Sequence, residues 1–385
     1  MSTPGLNPQA LARLSAALTR LIDANRIPGV VAMVSRHGEV GYLEALGRQD
    51  PQRGTPMGPE AVFRIHSMTK PIVSVAAMML VEQGVLQLSD RVALYLPMFS
   101  AARVGVEREG RFDLVTPTRA MTIHDLLRHT AGFTYEFYPT SAVRRRYVAA
   151  RLNEPERSNA QQVDALAALP LMYEPGSIWE YSRATDVLGR VIEIASGQPL
   201  GAHLEAAIFE PLAMRETGFD LSLSLLQRMA EPFVRDPDTG TRSTLSDVHT
   251  PSALQSGGGG LLSTVGDYAR FVQMLLNGGR LGDVRLLGRK TVETMTADHL
   301  LAIPRSGDTL PPDHGFGLGF AVKTHLGGGF EPGSIGSYGW SGSAGTAFFV
   351  DPQEQLFAIL MMQAPGQFDE VRELFRQLVY AAIDD

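Results

Sequence analysis

Ser67 and Lys70 are three positions apart in residues 66–71, which read His-Ser-Met-Thr-Lys-Pro. Side chains at this spacing share one face of a helix, so the serine hydroxyl and the lysine amine could meet as a nucleophile and its base. Lysine occurs only at positions 70, 290 and 323, and only Lys70 has a serine three residues before it. Serine is a common residue, and an N-cap serine beside a surface lysine would give the same pattern. The pair alone therefore only suggests nucleophilic catalysis.

The helix that would position this pair is predicted from Thr69 to Gln83, an apolar stretch with a helical pattern that ends at Gly84. Ser67 then lies at the N-terminus of that helix, where unpaired N–H groups and the positive dipole end stabilise a developing oxyanion. The same field disfavours the ammonium form of Lys70, and burial there would make it a usable base.

Two later segments contain further polar and aromatic residues of interest. Residues 170–182 place Tyr181 after a Pro-Gly turn, and residues 336–345 place the sequence Trp-Ser-Gly-Ser before an apolar strand. With the Ser-x-x-Lys pair, these segments resemble the three motifs of the serine β-lactamase and penicillin-binding superfamily, which are Ser-x-x-Lys, Tyr-x-Asn and Lys/His-Thr-Gly. Residues 123–132 and 256–264 resemble the same family. The resemblance extends from about residue 20 to 380. Within the superfamily the chain resembles class C β-lactamases and, more closely, the family VIII carboxylesterases.

The resemblance implies a role for each matching residue. Ser67 would be the nucleophile that forms an acyl-enzyme, Lys70 the base that activates it, and Tyr181 the group that relays a proton to the leaving group. Whether Lys70 or Tyr181 accepts the first proton stays open. The oxyanion would lie between the backbone N–H groups of Ser67 and Ser343, and Gly342 would let the substrate approach closely.

Two positions depart from the family pattern. Arg183 stands where the second motif has asparagine, and Trp340 stands where the third motif has lysine or histidine. In β-lactam enzymes that basic residue helps to hold the antibiotic's carboxylate, whereas Trp340 offers a flat apolar wall for the acyl or alcohol part of a neutral ester. We therefore expect Trp340, Ser341, Gly342 and Arg183 to bind substrate, although Arg183 could also hold a carboxylate.

The predicted function is hydrolysis of short-chain carboxylic esters through a Ser67 acyl-enzyme. The alternatives are a β-lactamase or D-amino-acid peptidase, an acyltransferase that uses the same site, and a non-catalytic relative that keeps the fold. A Ser-His-Asp hydrolase is disfavoured because no Gly-x-Ser-x-Gly pentapeptide occurs, and His66 and His129 are interpreted as packing or loop residues.

The predicted fold is α+β and β-lactamase-like, an antiparallel sheet flanked by helices with a mostly helical second domain. Apolar periodicity predicts a first helix through leucines 11, 14, 18 and 21, hairpins at 30–46 and 346–361, a final helix at 371–383, helical segments at 123–129 and 161–169, and surface loops at 100–118 and 232–245. Residues 1–80 and 181–385 would form the α/β domain and residues 81–180 the helical one. The active site would lie in the cleft between them.

The composition narrows the other possibilities. Of the 385 residues 44% are hydrophobic and 19% charged, and the net charge of −7 argues against a nucleic-acid partner. The lack of cysteine excludes disulfides and thiol catalysis.

No signal peptide or membrane-spanning run is recognised, so a cytoplasmic location without membrane contact is expected. No cofactor and no metal are expected, because the sequence has no His-Glu-x-x-His and the glycines at 257–260, interpreted as a tight turn near the site, lack a phosphate-loop ending. The predicted partner is a small-molecule ester, and the oligomeric state is left open.

Overall fold

The computed structural model describes residues 5–108 and 110–385. The strands of these residues are β1 (Gly29–Arg36), β2 (Glu39–Asp50), β3 (Thr55–Pro56), β4 (Phe63–Arg64), β5 (Val104–Arg108), β6 (Arg111–Val115), β7 (Leu262–Ser263), β8 (Arg280–Leu281), β9 (Val284–Arg285), β10 (His314–Phe316), β11 (Ala321–Lys323), β12 (Tyr338–Ser341), β13 (Ala347–Asp351) and β14 (Leu356–Met362). The α-helices are α1 (Pro8–Asp23), α2 (Thr69–Glu82), α3 (Ile123–Leu127), α4 (Ala142–Ala150), α5 (Asn159–Ala167), α6 (Ala184–Ser196), α7 (Leu200–Leu204), α8 (Glu210–Leu212), α9 (Leu223–Leu226), α10 (Val265–Leu276), α11 (Arg289–Met295) and α12 (Phe368–Tyr380).

The main sheet has eight strands in the order β10-β11-β12-β13-β14-β1-β2-β3, and every neighbouring pair is antiparallel. Both predicted hairpins are present, as β1–β2 and β13–β14. The first and last hairpins are joined through β1 and β14, where Val30 pairs with Met362. This confirms the predicted antiparallel sheet built from both ends of the chain.

The sheet is covered on both faces, because the residues of β1 alternate between two apolar cores. Val30, Ala32 and Val34 pack with α1 and α12, while Val31 and Met33 join the larger core around α2 and α10. Side chains on both faces are therefore apolar in this central strand, which is buried along its whole length.

The helical segments lie mainly in the middle of the chain. Capping boxes begin α3 at Thr122 and α5 at Ser158, where each side chain accepts from a backbone N–H three residues on. Helix α6, which begins after residue 181, packs against α2, α3 and α5. One apolar core extends from the sheet through all of these helices, and the division at residues 81 and 180 stays a prediction.

One predicted loop is wrong. Residues 100–118 contain the hairpin β5–β6, in which Val104 pairs with Val115 and Arg108 with Arg111. The charges of this segment suggested a solvated loop, but an exposed two-stranded ribbon can carry charge on both faces. Residues 232–245 form the predicted loop, with only an isolated bridge between Arg235 and Arg242. No helix among the described residues is long and apolar enough to cross a membrane.

Candidate active site

Ser67 lies in a single 3₁₀ turn, His66–Met68, that leads directly into α2. His66 has a φ of +44°, and the left-handed conformation is uncommon for a residue with a side chain. It makes the chain turn sharply before the helix and leaves the Ser67 side chain partly exposed. Pro71 is accommodated in the first turn of α2, where its missing N–H has no partner to lose. Ser67 therefore lies at the N-terminus of this helix, as the sequence predicts.

Lys70 is almost completely buried, with 1% of its surface exposed. Its Nζ lies 3.4 Å from Ser67 Oγ, 3.0 Å from the Tyr135 hydroxyl and 2.6 Å from the Gly258 carbonyl oxygen. Burial lowers the pKa of Lys70 to about 7; Asp186 opposes this shift and Arg183 adds to it. An amine with this pKa can be uncharged near neutral pH and so take the Ser67 proton.

The Tyr181 side chain lies beside Ser67 and Lys70. The Lys70 amine is 4.4 Å from the centroid of the Tyr181 ring, and Trp340 Nε1 donates to the Tyr181 hydroxyl at 3.4 Å. Burial raises the pKa of Tyr181 well above its usual range, so the phenol keeps its proton at neutral pH. The structure brings Ser67, Lys70 and Tyr181 together, and their individual roles stay predictions.

Tyr135 is a site residue that the sequence reasoning missed. Its hydroxyl accepts from Lys70, and its ring centroid lies 5.2 Å from that of Tyr181. It follows directly on residues 123–132, one of the segments that resemble the family. No spacing rule connects it to Lys70, because the two residues meet only in the folded chain.

The glycines at 257–260 form the predicted tight turn, and this turn is one wall of the site. The N–H groups of Gly259 and Gly260 both donate to the Ser256 carbonyl. A Cβ on Gly257 would lie 2.6 Å from the Thr185 carbonyl oxygen, so no larger residue fits there without a shift. The turn thereby places the Gly258 carbonyl against Lys70.

The other wall is the end of β12, which lies beside the 3₁₀ turn. A Cβ on Gly342 would be 2.4 Å from the Ile65 carbonyl oxygen and 2.4 Å from Thr346 Oγ1. The sequence predicts that Gly342 lets the substrate approach closely. In the structure, this glycine packs closely against the backbone just before Ser67. Ser341 is partly buried at the strand end, and Ser343 is exposed.

The Ser343 N–H has no hydrogen-bond acceptor among the described residues, and it follows Gly342 at the edge of the site. An unpaired amide in this position is what an oxyanion hole requires. The assignment of the Ser67 and Ser343 amides to that hole stays a prediction.

Trp340 packs with other aromatic rings beside Tyr181, and its role as an apolar wall for the substrate stays a prediction. Its ring centroid is 5.1 Å from Tyr181 and 5.2 Å from Phe316. His129 packs within the same group, 5.0 Å from Tyr181 and 5.4 Å from Phe316, and burial lowers its pKa well below the usual range. Burial, assisted by Arg64 and Lys70, lowers the pKa of His66 to about 4. Both histidines are therefore uncharged, in agreement with their interpretation as packing or loop residues.

Arg183 is buried, and acidic side chains engage its guanidinium. Its Nη2 donates to both carboxylate oxygens of Glu136 at 2.9 Å, and its Nη1 lies 3.4 Å from Asp186 Oδ2. Direct substrate binding by Arg183 stays a prediction, and this placement favours a different role for it. Within residues 5–108 and 110–385, no three histidine or carboxylate side chains are grouped as metal ligands would be.

Fold and site together define a serine hydrolase of the β-lactamase and penicillin-binding superfamily. A family model described as "Beta-lactamase" matches residues 14–382, and the chain belongs to that family. Esterase EstB of Burkholderia gladioli is 31% identical over 412 residues, which cover 99% of this chain and 100% of EstB. Protein Rv1367c of Mycobacterium tuberculosis is 33% identical over 359 residues, covering 90% of this chain and 88% of that protein. Among solved structures, "EstCE1, a hydrolase with promiscuous acyltransferase activity" superposes with a TM-score of 0.81 at 29% identity, covering 97% of this chain and 99% of EstCE1.

Proposed function

We propose that this protein is a carboxylesterase that hydrolyses short-chain carboxylic esters through an acyl-enzyme on Ser67. The observation that carries the proposal is the wall beside Ser67, where Trp340 presents an aromatic face in place of a cation. Arg183, a cation near the site, is paired with the carboxylates of Glu136 and Asp186. Among the described residues, the two positions that depart from the family pattern, Trp340 and the paired Arg183, therefore offer no free positive charge to an anionic β-lactam, whereas a neutral ester needs none. The similarity to an esterase, EstB, supports the same reading.

The first half of the proposed reaction forms the acyl-enzyme. Uncharged Lys70 takes the proton of Ser67 as Oγ attacks the ester carbonyl, and the carbonyl oxygen becomes an oxyanion held by the Ser67 and Ser343 amides. The carbon–oxygen bond to the alcohol then breaks, and Tyr181 gives its proton to the departing alkoxide. Lys70 returns the proton it accepted to Tyr181, so both residues are restored.

In the second half, water adds to the acyl-enzyme carbonyl and loses a proton to the same pair of residues. The bond to Ser67 Oγ breaks, Oγ regains a proton, and the carboxylic acid leaves. An alcohol in place of water would give a new ester. That acyl transfer is the second candidate function, favoured by the promiscuous activity named for EstCE1 and by an aromatic wall that could seat an alcohol.

The test compares turnover of p-nitrophenyl butyrate and of a chromogenic cephalosporin by the wild type, Ser67→Ala and the control Ser224→Ala. Ser224 is an exposed serine on α9, away from the site. We expect fast ester turnover, weak cephalosporin turnover, and a loss of at least about a thousandfold in Ser67→Ala only. Cephalosporin turnover faster than ester turnover would refute the esterase assignment. Added butanol that captures the acyl group far better than water would favour the acyltransferase.

A further inference from the structure

Arg183 keeps a charged guanidinium almost completely out of water, with 4% of its surface exposed. Besides Glu136 and Asp186, it contacts Asn153, whose side-chain oxygen accepts from Nη1 at 2.6 Å. A buried guanidinium destabilises the fold unless it is paired, and pairing fixes the positions of the residues that accept its hydrogen bonds. Two of these residues, Asp186 and Glu136, connect Arg183 to acceptors of Lys70.

The first path passes through Asp186 on α6. Its Oδ2 faces Arg183, while its Oδ1 accepts from the Gly258 N–H at 3.0 Å. The carbonyl of Gly258 in turn accepts from Lys70 Nζ at 2.6 Å. Arg183 is thus the cation that holds the Asp186 carboxylate, which also accepts from Ser256 Oγ at 2.6 Å. This carboxylate in turn holds Gly258, an acceptor of Lys70.

The second path passes through the segment that follows α3. Arg183 holds Glu136 by two hydrogen bonds, and Glu136 is the chain neighbour of Tyr135. The guanidinium carbon also lies 4.9 Å from the centroid of the Tyr135 ring. The Tyr135 hydroxyl accepts from Lys70 at 3.0 Å. The orientation of the Tyr135 ring therefore determines where this second acceptor of the amine lies.

We propose that Arg183 is a positioning residue, which holds both of these acceptors of Lys70 in place and, by pairing with Asp186, prevents that carboxylate from acting as the counter-ion of Lys70. The inference rests on the proposed function, in which Lys70 works as an uncharged base. A residue at this position that only filled space would leave Asp186 free to stabilise the ammonium form, which cannot accept a proton.

The titratable and charged groups that face Lys70 come from three elements: His66 on its own turn; His129, Tyr135 and Glu136 after α3; Tyr181, Arg183 and Asp186 at the start of α6. The pKa values of the two histidines are lowered by burial and those of the two tyrosines raised by it. Between pH 5.5 and 9 the acidic limb of the rate profile would therefore report the titration of Lys70.

The test measures kcat/KM for p-nitrophenyl butyrate as a function of pH in Arg183→Met and in the matched variant Glu136→Gln. Both variants break the same Arg183–Glu136 pair. Arg183→Met removes the counter-ion of Asp186 and leaves its neutral donors, Ser256 and the Gly258 N–H, in place. We therefore expect the acidic limb to move upward by about one pH unit or more, which is about a tenfold loss of rate below the limb. Glu136→Gln removes a negative charge and leaves Arg183 on Asp186, so its limb should stay in place or move downward.

A merely structural role gives a different result. It would lower the rate in both variants without moving either limb, or would move both limbs in the same direction, and either outcome would overturn the inference. We also expect the loss in Arg183→Met to appear in kcat, with KM changed less than about fivefold, because a positioning residue acts through Lys70 and not through the substrate.

Arg183→Lys is the rescue variant. It keeps the positive charge but not the planar fork, so its limb should return to within about half a pH unit of the wild type while its plateau stays lower. If Arg183→Met does not fold, as judged by its thermal unfolding transition, Arg183→Lys and Glu136→Gln decide: an upward-shifted limb in either would refute the inference. Ser67→Ala separates the two claims, because activity that survives in it refutes the proposed function. An inactive Ser67→Ala with an unmoved Arg183→Met limb refutes only the inference.

Discussion

Lys70 must be uncharged before it can take the proton of Ser67, and its surroundings make that possible. The amine is buried, and burial is the largest of the effects that lower its pKa. Its hydrogen bonds go to a backbone carbonyl, a phenol and the Ser67 hydroxyl, all of which are neutral acceptors. A neutral acceptor orients the amine without stabilising the ammonium form as strongly as a carboxylate would.

This arrangement predicts the pH dependence of the reaction. Because the pKa of Lys70 is lowered to about 7, the neutral base accumulates above that pH. We expect kcat/KM for p-nitrophenyl butyrate to rise with pH, with an inflection near 7 and a plateau above about 8. If the Tyr181 phenolate were the first base instead, the rise would come at far higher pH, because burial raises its pKa. An inflection well above 10 would therefore contradict the role of Lys70 as the first base.

The separate residues of the site differ in how well the sequence predicts them. Ser67 and Lys70 share a helix turn, so their spacing alone predicts that they meet. Tyr181 could be found only through its motif. The contacts of Arg183 were beyond both approaches, because pairing with Glu136 depends on how α6 packs against the segment after α3.

At the level of elements, the site depends on how closely β12 approaches the turn before α2. Gly342 makes this approach possible, since any Cβ there would collide with the Ile65 carbonyl and with Thr346. Arg372 of α12 donates to the carbonyls of Gly342 and Thr346 and so holds the same loop from behind. The position of the Ser343 amide is thus set by packing on both sides of the loop.

Gly342→Ala should therefore lower activity more than stability. We expect kcat to fall about a hundredfold as the Ser343 amide moves out of line, and the free energy of unfolding to fall by about 1–3 kcal/mol through overpacking. Ester kinetics and urea unfolding measure the two effects. Gly266→Ala is the control, because a Cβ at this helical position has open space around it. Its activity should equal that of the wild type, and an equal loss in both variants would contradict the argument.

Elements with strong periodicity were predicted well, and the exposed ones were not. The continuous apolar runs of β1 and β14 predicted strands because both strands are buried on their two faces. The hairpin β5–β6 has little buried surface to impose a pattern, and its pairing comes from the backbone. An apolar pattern in the sequence marks the buried residues of an element, so it does not predict an element that lies on the surface.

At the level of the whole molecule, the site is assembled from distant parts of the chain. Residue 67 comes from the turn before α2, residue 258 from the loop before α10, and residue 340 from β12 near the C-terminal end of the chain. The sheet makes this possible because β1 and β14 pair at its centre and the chain ends meet, with Leu6 beside Ile383. Local patterns predicted the hairpins and the motifs, and only the resemblance to a known family indicated how they come together.

The central claim is that one serine, Ser67, carries the acyl group. The most direct measurement is peptide mapping by mass spectrometry after the protein has reacted with a fluorophosphonate probe, or after rapid acid quenching during turnover of p-nitrophenyl butyrate. We expect an adduct on the peptide that contains Ser67, no adduct in Ser67→Ala, and normal labelling in Ser224→Ala. An adduct on another residue, or labelling that persists in Ser67→Ala, would contradict it.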